Sequence, residues 1–65
     1  MKINSHKVRL IMADAGMTQS MLAEKCGIAR QNICNILSKG RCTPISAGRL
    51  AAALGVPTSD IVLED

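Results

Sequence analysis

A glycine at position 27 constrains this chain more than any other residue. It stands inside "MTQSMLAEKCGIARQNICNIL", residues 17–37, a stretch that otherwise has the pattern of one amphipathic helix. Leu22, Cys26, Ile33, Ile36 and Leu37 recur at helical intervals, but the pattern breaks at Gly27 and resumes only after it. Glycine weakens a helix interior, and it takes positive φ without the steric penalty of a Cβ. The stretch is therefore read as two short helices, residues 19–26 and 29–38, joined by a tight turn at Gly27 and Ile28. Thr18 supplies the first with an N-cap.

Two short helices joined this tightly cross at a steep angle, so that the second projects from the body. Such a crossing needs a small side chain where the helices touch, and Ala23 is there. It needs glycine four residues later, and that is Gly27. It needs apolar residues on the second helix facing back into the body, supplied by Ile33 and Ile36, with Leu22 completing the wedge. All of these in register point to a helix-turn-helix rather than to an ordinary helical hairpin of a bundle.

The flanking sequence adds short helices and, on this reading, no strands. Residues 5–15 place Val8, Ile11 and Met12 on one face, and Gly16 stops them. Thr43 caps a helix over residues 44–54 with Pro44 at its first position, where the missing N–H costs nothing. A last short turn is expected over residues 59–62. With 65 residues the chain makes one domain, 1–65. It contains no Phe, Tyr or Trp, so its core is built from Leu, Ile, Val, Ala and Met. Its formal charge is +3, a mild bias toward polyanions.

No stretch is apolar enough for a signal peptide or a membrane span, and a cytoplasmic location is expected. Cys26, Cys34 and Cys42 match no metal-ligand spacing. They read as reduced thiols with Cys26 in the core, against a redox sensor or metal site. His6 has no ligand-forming neighbours and reads as an exposed helix residue. No acid–base pair, activated nucleophile or phosphate loop is visible, so neither an enzyme nor a cofactor is expected.

"TQSMLAEKCGIARQNICNIL" resembles the helix-turn-helix of the phage-repressor, or XRE/Cro-like, family of transcriptional regulators, and "LAAALGV", residues 50–56, resembles the end of that family's fourth helix. The resemblance extends from about Val8 to Leu63. It implies an all-α, five-helix lambda-repressor-like domain in which helices two and three form the DNA-reading unit. It also implies a DNA-binding regulator, usually a repressor and a homodimer on a palindromic operator.

Carried onto this sequence, the resemblance assigns base reading to Ala29, Arg30, Gln31, Asn32 and Asn35. It assigns phosphate contacts to Thr18, Gln19, Lys39 and Arg41. The chemistry suits these roles: Arg can donate twice to guanine, Gln and Asn can pair with adenine, and the methyl of Ala29 can touch thymine. The sequence also departs from the family. Ala29 replaces the usual capping Ser or Thr of the third helix, and the loop "SKGRCTP" differs in length from the common version. Met12 and Leu37 stand where many relatives carry an Arg–Glu pair. Replacing both members by packed hydrophobes is often neutral or stabilising.

The first expectation is a stand-alone DNA-binding regulator. The second is an antitoxin-like interaction module of the same fold, whose main ligand is another protein and for which only "IVLED" is left over. No small-molecule ligand is evident. Dimerisation is expected near the C-terminal end, where Ile61, Val62 and Leu63 cannot all face one small core.

Overall fold

A computed structural model describes residues 1–63. In chain order these form β1 (Lys2–Ile3), α1 (Ser5–Asp14), α2 (Gln19–Cys26), α3 (Arg30–Lys39), α4 (Pro44–Leu54), a 3-10 turn (Thr58–Asp60) and β2 (Val62–Leu63). Local chemistry accounts for most helix starts. Asn4 caps α1 by accepting from the Lys7 N–H at 3.1 Å, and Thr18 caps α2 through Met21 N–H at 3.1 Å. Thr43 caps α4 through Ser46 N–H at 3.2 Å, with Pro44 in the first turn. None of the described helices is long and apolar enough to cross a membrane.

The core is aliphatic, as a chain without aromatics requires. Val8, Leu22, Ile33, Leu50 and Ile61 are fully buried, with Ile3, Met12, Ala23, Cys26, Leu37, Ala47 and Ala51 around them. α4 packs on α2 and on the 3-10 turn, while α2 packs on α3. Met12 and Leu37 are both buried in this core.

Two expectations need correction. The fifth helix is a three-residue 3-10 turn, and the fold contains strands. After Pro57 the chain makes one tight turn that brings Ile61 into the core, then extends alongside the N-terminus. β1 and β2 pair antiparallel, Lys2 opposite Leu63 and Ile3 opposite Val62. Two-residue strands carry no readable periodicity, and their partners lie at opposite ends of the chain. The C-terminal apolar run is accordingly split: Ile61 is buried, Val62 half-buried and Leu63 exposed. Glu64 and Asp65, which close "IVLED", lie outside the described residues.

Candidate nucleic-acid interface

The turn between α2 and α3 forms as its sequence requires. Gly27 has φ +69° and donates its N–H to the Ala23 carbonyl at 3.0 Å. A Cβ built there would meet nothing within 4 Å, so the demand for glycine comes from the backbone rather than from crowding. Ala23 and Leu22 are both buried. On α3 the buried pair is Ile33 and Leu37, one helical turn apart, whereas Ile36 is only half-buried at the edge of the core.

The opposite face of α3 is solvent-exposed. Gln31, Asn32 and Asn35 lie on it, while Arg30, the first residue of the helix, and Ala29, at the cap position just before it, are exposed at its leading end. Gln31 Nε2 donates to Asn35 Oδ1 at 3.3 Å, linking two of these residues across one turn. Ala29 makes no side-chain cap, so the first N–H groups of α3 are without that usual partner.

Asn32 and Asn35 also line a cleft of about 280 Å³ together with Lys39 and Arg41. Its other walls are Ile28, Ile36, Cys42, Thr43 and Ser46. The cleft thus gathers two amides, two cations and two hydroxyls at the junction of α3, the loop and the start of α4. Partial burial pushes the Cys42 thiol up from its ordinary pKa, an effect opposed by the nearby N-terminal ammonium of Met1. Of the other predicted residues, Arg30 and Gln31 on α3 and Ala29 at its cap lie outside this cleft. Thr18 and Gln19 lie outside it at the start of α2.

β1 holds the loop that carries Arg41. Ile3 N–H donates to the Gly40 carbonyl at 2.8 Å, and Cys42 N–H donates to the Met1 carbonyl at 3.1 Å. Lys2 faces Arg41 across this bridge. The last turn of α3 is tied down as well, since Ser5 Oγ donates to the Leu37 carbonyl at 2.8 Å. Sequence reasoning missed both devices, along with the presence of Thr43 and Ser46 in the cleft. It also missed a contact behind the reading face, where the Cys34 thiol donates to Gln19 Oε1 at 2.7 Å. Among the described residues, no three of His, Cys, Asp and Glu come together as a metal site.

Comparison with protein families matches residues 8–61 to the helix-turn-helix family, a span that begins in α1 and ends at the buried Ile61. The chain belongs to that family, in its XRE/Cro-like form. The helix-turn-helix family is one of DNA-binding transcriptional regulators and not of enzymes. The matched span contains α2, α3 and all nine positions named for base or phosphate contact. Neither the comparison with characterised proteins nor that with solved structures gives a match.

Proposed function

We propose that this domain is a sequence-specific regulator, most simply a repressor, that inserts α3 into the major groove of a palindromic operator. One observation carries the reading. α3 buries Ile33 and Leu37 and leaves Arg30, Gln31, Asn32 and Asn35 exposed together, with Lys39 and Arg41 beside them. A helix of this kind offers hydrogen-bond donors and acceptors to base edges and positive charge to the flanking backbone. Ala29 adds a methyl at its leading end. Thr18 and Gln19 sit at the N-terminus of α2, where the helix dipole favours a phosphate. Operator binding is proposed to use two copies, and their contact is assigned to the C-terminal segment, where Leu63 is exposed at the edge of the sheet.

Selection of bound sequences from random duplexes tests this reading. The expected product is a palindrome, and affinity for it should fall steeply as salt rises. Arg30→Ala, Gln31→Ala and Asn35→Ala should each keep the helical spectrum and melting of the parent. Each should weaken operator binding by about 1–3 kcal/mol, the usual worth of a bidentate base contact. Parental operator affinity in all three variants would show that the reading face lies elsewhere.

A further inference from the structure

Gln19 and Cys34 are distant in sequence and come together only because the chain turns at Gly27. Gln19 opens α2 and Cys34 lies midway along α3, and both are half-buried. The thiol donates to the amide oxygen at 2.7 Å, and this contact decides which end of the amide faces outward. A carboxamide has one acceptor end and one end with two donors, whereas a thiol has a single weak proton to give. With Oε1 turned toward Sγ, Nε2 and its two hydrogens point the other way. A DNA phosphate accepts hydrogen bonds and donates none, so it can use Nε2 and is repelled by Oε1. Unheld, the amide can turn either end outward, and the phosphate must then select one of two orientations.

We infer that Cys34 is a positioning residue for DNA binding, its thiol holding the Gln19 amide with the nitrogen outward to donate to a backbone phosphate. The inference rests on the phosphate contact proposed above for Gln19. It also gives α3 a second duty. The residue just before Asn35 fixes the anchor on α2, so the backbone contact and the reading face are set by one rigid pair of helices. A thiol that merely filled space at this position would require no particular partner atom.

Cys34→Ala and Cys34→Ser separate these roles, because both shorten the side chain and only serine keeps a donor. Binding is measured by salt titration on the selected operator and on a mixed-sequence duplex long enough for two half-sites, with melting followed for each variant. Cys34→Ala is expected to weaken binding to both duplexes by about threefold to tenfold, the usual range for one hydrogen bond. The slope of the salt dependence should stay that of the parent, since the neutral Gln19 amide displaces no counterion from the phosphate it contacts. Cys34→Ser should stay within about twofold of the parent, since its hydroxyl restores the donor. In a Gln19→Ala background, Cys34→Ala should have no further effect. Equal losses for serine and alanine, parental binding by Cys34→Ala, or losses that multiply with Gln19→Ala would each overturn the inference. If Gln19→Ala alone leaves the affinity for both duplexes unchanged, the Gln19 phosphate contact fails and the inference with it. Operator selection would still test the wider DNA-binding reading separately.

Discussion

Ala29 stands where α3 most needs an oxygen. Its backbone is extended, at φ −59° and ψ 141°, but its methyl accepts nothing from the helix. Serine at this site can accept from the second or third N–H of α3, and such caps contribute about 1 kcal/mol. Ala29→Ser is therefore expected to raise the melting temperature by about 4–8 °C, the usual response of a domain this small to such a gain. Because Ala29 is also proposed to touch a base, the same variant should change operator preference while it stabilises the fold. Unchanged melting would mean that the helix start is satisfied in another way. Met12 presents the opposite case, a position where the family pattern would now be harmful. Met12 is only 6% exposed and shares the core with the buried Leu37. Met12→Arg would bury a charge without a carboxylate to receive it, at a cost of about 3–5 kcal/mol. That is comparable to the whole stability of a chain this short. Adding Leu37→Glu should recover part of the loss. A double variant no more stable than Met12→Arg alone would show that these two side chains do not form a pair.

At the level of elements, what could be read from the sequence divides by the distance over which each signal acts. Thr18, Gly27, Thr43 and Pro44 act on residues within one turn of themselves, and the boundaries of α2 and α4 follow from them. The inward and outward faces of α3 follow from periodicity, although the deeper second anchor proved to be Leu37 rather than Ile36. β1, β2 and the Cys34–Gln19 bond were not legible, because each joins residues far apart in sequence and leaves no local pattern. The candidate site follows the same division. Exposure of Gln31, Asn32 and Asn35 was predictable from the period of the helix and that of Arg30 from its place at the helix start, whereas the strand holding the Arg41 loop was not. That strand gives the loop residues a fixed place, which suits contacts that position without reading sequence. Lys39→Ala and Arg41→Ala should each lower affinity for all duplexes alike and reduce the salt slope by about 1. Altered sequence preference with an unchanged slope would instead mark that residue as a base contact.

The dimensions of the whole molecule bear on how many copies an operator holds. Its extents are 29 × 22 × 18 Å, and its reading helix has ten residues. Successive major-groove faces on one side of B-DNA are about 34 Å apart, so one copy cannot read two of them. A single reading helix covers only a few base pairs, and so short a site recurs too often in a genome to direct regulation. Two copies about a two-fold axis double the sequence read. The protein surface argues that they meet mainly on DNA. A standard interface takes about 800 Å² from each partner, roughly a fifth of the 4025 Å² this chain exposes. The described part of the proposed contact is small: Leu63 is exposed, Val62 half-buried, and Ile61 is already committed to the core. The expected behaviour is a protein monomeric at micromolar concentration that binds a palindrome cooperatively, two copies per site, with half-site centres about one helical turn apart. Leu63→Lys should leave melting nearly unchanged and reduce cooperativity more than affinity for an isolated half-site. Moving the half-sites apart by about five base pairs turns the second one to the opposite side of the duplex. Binding to that altered operator should lose its cooperativity and fall to the affinity of independent half-sites. Equally tight and cooperative binding at both spacings would mean that the two reading helices are not held in a fixed pair.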